Sequence, residues 1–278
     1  MAHIGFVKNL SPKTSIYFQD WHPDETPRAV IALVHGLGEH SGRYQHWGEM
    51  FNQENIGLIS FDLSGHGRST GKRGHTSYDE ANKDISLLLD EARSRYPDTP
   101  IFLYGHSLGG ALVSYYILCH RPNIFGAIIT SPGLTIGTPQ PPIKIMIAKI
   151  VNALSLTLCL PSGLDQSNLS RDPDVVKNYA NDPLVHDLVS TRLGMDLLTK
   201  GEWLLENADE FHLPLLLMQG TDDHLVSVEA TRTFSERVPQ DNITYKEWTG
   251  FYHELHNEPE KLIVFDYVHE WIGMSLKG

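Results

Sequence analysis

The chain has 278 residues, of which 41% are hydrophobic and 20% are charged, and its formal net charge is −12. This length and hydrophobic content are enough for a substantial buried core, organised as one large domain or as a domain with an insertion. The negative charge argues against a nucleic-acid partner, because phosphates would be repelled and no cluster of Lys and Arg offsets the repulsion. Anionic membrane surfaces are disfavoured for the same reason.

The two cysteines, Cys119 and Cys159, lie in apolar surroundings without the spacing of metal ligands. This pattern predicts reduced core thiols rather than a zinc site or a disulfide framework. The N-terminal residues lack a basic segment followed by an apolar run and a cleavage site, so the sequence predicts a cytoplasmic protein.

Short β-rich runs alternate with longer helical patterns along most of the chain. Six runs are predicted to be buried strands, namely Ala29–His35, Gly57–Asp62, Ile101–Tyr104, Gly126–Ser131, Leu213–Gln219 and Ile243–Trp248. Five segments are predicted to be helices, namely Arg43–Asn55, Ser77–Tyr96, Gly109–His120, Ser227–Val238 and Glu258–Leu276. The uninterrupted apolar strands indicate an α/β fold with a mostly parallel central sheet flanked by helices on both faces. Residues 16–18 are expected to form an antiparallel edge strand.

One stretch interrupts this alternation. From about residue 133 to 208 no strand pattern occurs, and several prolines punctuate short helical segments. We therefore expect residues 135–207 to form an inserted helical cap over the active site, with residues 1–134 and 208–278 as the two parts of the core. Within the cap, lysines interrupt the apolar tract Ile143–Leu160, which favours an amphipathic surface helix over a membrane span.

A candidate nucleophile, Ser107, lies in the sequence Gly105-His-Ser-Leu-Gly109 between a predicted strand and a predicted helix. A sharp turn at this corner would expose the Ser107 hydroxyl, and a side chain at either flanking glycine would collide with the neighbouring strand or helix. The context predicts a nucleophile elbow, in contrast to a glycine-rich loop with an incidental serine.

A serine nucleophile needs a base, and the base needs a group that orients it. Asp222 and Asp223 follow a predicted strand, and we favour Asp223 as the acid. The N-cap of the following helix would suit Asp222 or Ser227. The loop after the last strand offers His253 and His256. We favour His253 as the base because it lies closer to the strand.

The oxyanion that forms during acyl transfer needs main-chain donors. The amide of Leu108 at the helix start and the amide of Leu37 in the glycine-containing loop 35–38 are the candidates. Other loop histidines are expected to make local hydrogen bonds to the backbone: His35, His40, His66 and His106. The segment 62–69 is expected to be a structural turn.

These motifs resemble serine hydrolases of the α/β-hydrolase fold, specifically the monoacylglycerol lipase and lysophospholipase-like group. The resemblance covers nearly the whole chain and rests on six blocks, at residues 35–44, 62–69, 105–110, 169–172 with 181–184, 219–223 and 252–256. It implies that Glu39, Arg43, Tyr179 and His256 surround the polar glycerol end of a substrate. A diol with a long alkyl chain needs a small polar pocket and an apolar tunnel.

The residues themselves suit both parts of such a site. Glu39 and Arg43 are spaced to form a hydrogen-bonded pair in the polar pocket, although pairs of this spacing are often surface ion pairs. Apolar cap residues are expected to line the tunnel: Ile143, Ile145, Met146, Ile150, Leu154 and Leu158. An apolar stripe of this kind is also compatible with packing on the core.

The resulting hypothesis is a cofactor-free, metal-free serine esterase that hydrolyses monoacylglycerols through an acyl-enzyme. A lysophospholipase or a broad short-chain carboxylesterase is the alternative within enzymes, and a non-catalytic ligand-binding homologue is the alternative outside them. The expected partner is a small lipid ester, with transient contact between the cap and a membrane or micelle surface. The oligomeric state is left open.

Overall fold

The structure is organised around a mixed eight-stranded sheet. The computed structural model describes residues 2–135 and 158–277. Within these residues the strands are β1 (Ala2–Ser11), β2 (Thr14–His22), β3 (Ala29–Val34), β4 (Ile56–Phe61), β5 (Ile101–His106), β6 (Gly126–Thr130), β7 (Cys159–Pro161), β8 (Leu188–Ser190), β9 (Leu215–Gly220) and β10 (Ile243–Trp248). The large sheet has the order β1-β2-β4-β3-β5-β6-β9-β10. Strands β1 and β2 are antiparallel to their neighbours, and the other six strands are parallel.

Helices cover both faces of this sheet. The helices of the described residues are α1 (Gln45–Gln53), α2 (Tyr78–Arg95), α3 (Leu108–His120), α4 (Pro173–Asn181), α5 (Thr191–Glu206), α6 (Val228–Arg237) and α7 (Lys261–Ser275), and α4 packs in a separate small cluster. Helices α2, α3, α5 and α6 contribute to the core on one face, and α1 and α7 contribute to the core on the other. Every residue of β3, β4, β5, β6 and β9 is buried as a result. The α/β fold is confirmed, and all six predicted runs form strands of the large sheet. The expected burial of Ile243–Trp248 was wrong, because β10 lies at the sheet edge and only Trp248 is buried.

The N-terminal hairpin differs from the prediction. Residues 16–18 belong to β2, which is antiparallel as expected, but β1 lies outside it and forms the edge of the sheet. The sequence did not predict strand β1, because Ala2–Ser11 has few consecutive apolar residues and much of it is exposed. A half-exposed edge strand lacks the strong apolar signal of a central strand.

The described part of the predicted cap also differs from the prediction. Residues 159–161 and 188–190 pair as β7 and β8 in a small antiparallel sheet, where only helical segments were expected. Three-residue strands are too short to give a recognisable alternation. Helix α5 buries Leu193 and Leu204 in the same core cluster as α3, so this helix is not a separate layer. The proposed boundaries at 134/135 and 207/208 stay a prediction.

The two cysteines are free but are not core residues. Cys119 is exposed and Cys159 is partly exposed, so the expected burial of both thiols was wrong. Most of the tract Ile143–Leu160 lies outside the described residues. Among the described helices, none combines the length and the apolar character needed to cross a bilayer.

Candidate active site

The candidate nucleophile lies at a strained corner between β5 and α3. Ser107 has φ 55° and ψ −119°, a backbone conformation with positive φ that non-glycine residues rarely adopt. A Cβ atom on Gly105 would collide with the Gly109 carbonyl oxygen, and one on Gly109 would collide with the Val34 carbonyl oxygen. The two glycines are therefore required by close backbone approach, as the motif predicted. Strain of this kind commonly marks a functional residue.

A continuous chain of hydrogen bonds connects three predicted site residues. The Ser107 hydroxyl lies 2.8 Å from Nε2 of His253, and Nδ1 of His253 lies 2.7 Å from Oδ2 of Asp223. The Ser131 hydroxyl donates to the carbonyl oxygen of His253 at 2.7 Å and fixes the loop that carries the ring. This arrangement allows a proton to move from the serine oxygen to the imidazole.

The Asp223 carboxylate is held by several donors besides the imidazole. Gln219 Nε2 donates to Oδ2 at 2.7 Å, and the amides of Leu225 and Val226 donate to Oδ1 at 2.9 and 3.1 Å. Burial alone would raise the pKa of Asp223, but interactions with His253 and these amides lower the pKa below its usual value. The carboxylate is therefore ionised and fixed in orientation.

The neighbouring Asp222 does not reach the histidine. Its side chain is exposed and accepts a hydrogen bond from the Thr221 hydroxyl at 3.2 Å. The N-cap of α6 is Ser227, whose hydroxyl accepts a bond from the Ala230 amide at 3.1 Å. Of the two aspartates, the structure brings only Asp223 to the base.

The pKa of His253 is set by two opposing effects. Burial alone would lower the pKa, but the carboxylate of Asp223, with smaller contributions from Glu254 and Glu39, raises it above the ordinary value of 6.5. A positive charge on this ring is thus stabilised by the surrounding carboxylates, as a general base requires.

The second histidine of the loop, His256, lies behind the site rather than in it. Its ring is fully buried, stacks on Tyr44 at 4.6 Å, and meets His106 edge to face at 4.8 Å. Neither ring nitrogen of His256 has a hydrogen-bond partner among the described residues, and burial lowers its pKa well below the usual value. Neighbouring rings cover His256 and it does not line the described cavity wall, so the substrate contact implied for it stays a prediction.

The two predicted oxyanion donors flank the serine. Leu108 is the first residue of α3, where amides have no partner within the helix. Leu37 lines the same cavity as Ser107. Within the described residues, no hydrogen bond occupies the amide of Leu37 or Leu108. The preceding amide, of Gly36, donates to Oε1 of Glu39 at 2.7 Å and holds the loop in place.

An ion-pair network links the Leu37 loop to the histidine loop. Arg43 Nη1 donates to Glu39 at 2.7 Å and to Glu254 at 2.6 Å, and Nη2 donates to Glu254 at 2.7 Å. The Tyr44 hydroxyl donates to Glu39 at 2.8 Å, and Asn257 Nδ2 donates to Glu254 at 2.7 Å. The Glu39–Arg43 pair was predicted, whereas Glu254 was missed. The sequence shows only that Glu254 directly follows the predicted base, and no pattern in it indicates that Glu254 pairs with Arg43.

The cavity at Ser107 has apolar and polar portions. The described part of its wall comprises Gly36, Leu37, Glu39, His106, Ser107, Leu164, Asp165, Gln166, Leu169, Tyr179, Leu225, His253 and Glu254. Tyr179, on α4, packs its ring 4.6 Å from the guanidinium carbon of Arg43. Arg43 therefore lies behind Tyr179, Glu39 and Glu254 rather than in the described wall.

The remaining predicted histidines have structural contacts. Nδ1 of His35 forms a hydrogen bond with the Gly36 carbonyl oxygen, and Nε2 of His35 accepts a hydrogen bond from the Leu63 amide. His40 accepts the Gly42 amide, and His66 bonds to Ser64 O. His106 differs from the expectation, because it bonds to the Thr130 hydroxyl at 3.0 Å instead of the backbone.

The segment 62–69 is a structural turn, as expected. The Asp62 carboxylate accepts hydrogen bonds from the Ser41 amide at 2.8 Å and from the Arg68 amide at 2.7 Å.

Among the described residues, no group of three or more His, Cys, Asp and Glu side chains is placed to hold a metal ion.

The predicted tunnel is mostly outside the described residues. Ile143, Ile145, Met146, Ile150 and Leu154 all fall there. Leu158 is described, and it is 46% exposed instead of lying in the described cavity wall. Four other leucines form the apolar part of the described cavity wall, namely Leu37, Leu164, Leu169 and Leu225.

Comparison with known proteins identifies the family. Residues 25–260 match the model of the family described as serine aminopeptidase, S33. An abhydrolase domain-containing protein of Dictyostelium discoideum is 37% identical over 279 residues, which are 98% of this chain but 29% of that protein. The monoacylglycerol lipase of Mycolicibacterium smegmatis is 33% identical over 263 residues, 94% of each chain. The crystal structure of Paleococcus ferrophilus monoacylglycerol lipase has a TM-score of 0.85 and 37% identity, covering 94% of this chain and 99% of that one. The fold and the resemblance indicated by the motifs are confirmed.

Proposed function

The chain belongs to the serine aminopeptidase, S33 family of α/β-hydrolases, and we propose that it is a serine-dependent esterase that hydrolyses monoacylglycerols to glycerol and fatty acid. The observation that carries this proposal is the relay from Ser107 through His253 to Asp223, with distances of 2.8 and 2.7 Å, at a strained elbow. The similarity to monoacylglycerol lipases over nearly the whole chain supports the choice of substrate.

The chemistry follows from the positions of five residues. Ser107 Oγ attacks the acyl carbonyl while its proton passes to Nε2 of His253, and the negative oxygen accepts hydrogen bonds from the amides of Leu37 and Leu108. Asp223 orients the imidazolium and stabilises its charge. As the intermediate collapses, His253 donates its proton to the departing glycerol oxygen. Water then enters, gives a proton to His253, and releases the fatty acid from Ser107 by the same steps in reverse.

The cavity wall supports an amphipathic substrate. Its leucines offer an apolar surface to an acyl chain, while Glu39, Tyr179 and Glu254 present polar groups to glycerol. Such a division between an apolar wall and a few polar groups is typical of small-molecule sites. We propose that Glu39 and Tyr179 contact the glycerol end, as the resemblance implied, and that Arg43 acts by holding Glu39. A direct contact for His256 has no support from its buried position.

A panel of esters tests the proposed function. The panel varies the head group at constant acyl length, comprising a monoacylglycerol, a lysophospholipid and a p-nitrophenyl ester, and kcat/KM is measured for each. We expect the monoacylglycerol to be hydrolysed more efficiently than the lysophospholipid. Its efficiency should also exceed that of the p-nitrophenyl ester once each rate is divided by the uncatalysed rate. Greater efficiency on the lysophospholipid would support the phospholipase alternative, and equal enhancement on all three would support a broad esterase.

Two further expectations stay predictions. One is a cytoplasmic location, and the other is peripheral contact between the segment 135–207 and a membrane or micelle. The exposed side chains of Leu158, Leu160 and Leu164 support the second, because Leu164 also lines the cavity and so places apolar surface at its mouth.

A further inference from the structure

The polar end of the cavity carries two buried carboxylates. The side chains of Glu39 and Glu254 are 3% and 2% exposed, respectively, and both line the cavity. Arg43 lies between them and is 10% exposed. No Lys or Arg lines the part of the cavity wall that the structure describes. The charges that a head group would meet at this end are therefore those of the carboxylates.

The net charge of this group is negative. Burial would raise the pKa of Glu254, but Arg43 outweighs burial and holds the pKa well below its usual value, and the same balance lowers the pKa of Glu39. Two carboxylates and one guanidinium leave one negative charge. His106 and His256 do not offset it, because burial lowers the pKa of His106 to about 4 and that of His256 well below 6.5. The pKa of His253 is raised, chiefly by Asp223, and the carboxylate of Asp223 balances any charge on that ring.

Arg43 is poorly placed to receive an anion. Its Nη1 donates to both carboxylates, and its Nη2 donates a second hydrogen bond to Glu254. One face of the guanidinium is covered by the Tyr179 ring. Three of the five Arg43 N–H groups donate to Glu39 and Glu254, so a phosphate at this end would have to compete with both carboxylates for the same cation. A hydroxyl group can instead donate to a carboxylate, because each carboxylate has about four acceptor sites and these two each use three.

We propose that Glu254 is a specificity-determining residue that excludes anionic head groups and selects neutral, hydroxyl-bearing leaving groups. The inference rests on the proposed ester hydrolysis and refines its substrate class. With Glu39 alone, the charge of Arg43 would be balanced and the polar end would be neutral. Glu254 makes it negative, so a phosphate or carboxylate head group approaching Ser107 is repelled within a water-poor cavity, where charge interactions are weakly screened.

The test compares two esters of equal acyl length in the same enzyme preparation, octanoylglycerol and octanoylglycerol 3-phosphate. The quantity measured is the ratio of kcat/KM for the neutral ester to that for the anionic ester. Because both rates come from one preparation, the ratio does not depend on the fraction of folded enzyme. We expect a ratio of about 100 or more for the unaltered chain, decreasing about tenfold or more in Glu254→Gln, because removal of one charge removes the repulsion.

Three variants serve as controls. Glu254→Asp keeps the charge and should keep most of the ratio. Asp222→Asn removes an exposed carboxylate near the same loop and should leave the ratio unchanged. Asp165→Asn removes the exposed carboxylate that also lines the cavity, so the ratio should decrease less than in Glu254→Gln. Because this third change is on the surface, it remains measurable if Glu254→Gln does not fold.

The proposal is overturned if the unaltered chain shows a ratio near one, or if Glu254→Gln changes the ratio no more than Asp222→Asn does. A separate pair of octanoyl esters, of p-nitrophenol and of a carboxylated p-nitrophenol, distinguishes this failure from failure of the proposed function. If glycerol esters are not hydrolysed but the aryl esters are, the monoacylglycerol assignment fails while the aryl pair still tests charge selection. Equal rates on the aryl pair would then overturn the proposal.

Discussion

The protonation state of His253 determines how the rate should depend on pH. The ring must be neutral to accept the Ser107 proton, and its raised pKa means that it holds its own proton to a higher pH than an ordinary histidine does. Activity should therefore be lost as the pH falls, with a midpoint in kcat/KM above the ordinary value of 6.5. The measurement is a pH profile of kcat/KM with a neutral ester that does not titrate.

The same pH profile of kcat/KM measures how much Glu254 adds to the effect of Asp223 on the pKa of His253. The Glu254 carboxylate raises the pKa of His253, so Glu254→Gln should move the acid limb to lower pH. Asp222→Asn, whose carboxylate faces solvent, should leave the limb in place. An acid limb with its midpoint below 6.5 in the unaltered chain would contradict the assigned electrostatics of the base.

The buried ring of His256 should contribute to stability rather than to recognition. His256→Ala removes packing against Tyr44 and His106, so the free energy of unfolding should decrease by about 2–4 kcal/mol. The ratio of kcat/KM on glycerol esters to that on p-nitrophenyl esters should change little. By contrast, His253→Ala should abolish hydrolysis of both substrate types. Selective loss of glycerol-ester hydrolysis in His256→Ala, with unchanged stability, would restore the implied substrate contact.

Helix α5 approaches the core so closely that a side chain at one of its glycines would collide with the backbone of another segment. A Cβ atom on Gly201 would collide with the carbonyl oxygen of Leu134, whereas one on Gly194 in the same helix would meet no atom of the described residues within 4 Å. Gly201→Ala should therefore lower the free energy of unfolding by about 1–3 kcal/mol through overpacking. Thermal and chemical denaturation of both variants provide the measurement.

Gly194→Ala is the matched control for this prediction. Alanine has the higher helix propensity, so the change at the open position should be neutral or stabilising by up to about 1 kcal/mol. If the two alanine variants had equal stability, the close contact between α5 and Leu134 would be refuted.

The elements that could be predicted from the sequence are those with a strong local signal. The buried strands β3 to β6 and β9 appear as apolar runs because helices cover both of their faces. Strand β1 and the short strands β7 and β8 have no such signal, since they are exposed or only three residues long. Their formation depends on pairing with distant segments rather than on their own composition.

At the scale of the whole molecule, the triad could be predicted because the fold brings the carboxyl ends of parallel strands to one edge. Ser107 follows β5, Asp223 follows β9 and His253 follows β10. Strand order and motif context therefore identified residues that are distant in the chain. The choice between Asp222 and Asp223 depended on side-chain direction, which the structure provides.

Contacts between residues that belong to no common sequence motif could not be predicted from strand positions and motifs. Arg43 and Glu254 are 211 positions apart, and nothing in either segment identifies the other as a partner. Likewise, His256 occurs in a loop next to the base, yet rings from α1 and from other loops cover it. Long-range pairing of charged groups is a property of the assembled fold, which is why the head-group end was only partly anticipated.

Fatty-acid release from a monoacylglycerol by the unaltered chain and by Ser107→Ala decides whether Ser107 is the nucleophile that takes up the acyl group. We expect hydrolysis by the unaltered chain and a decrease in kcat of about 10⁴–10⁶-fold in the variant, with its thermal unfolding preserved. Retention of more than about 1% of the activity in folded, contaminant-free Ser107→Ala would contradict this role of Ser107, because a triad that has lost its nucleophile keeps only residual catalysis.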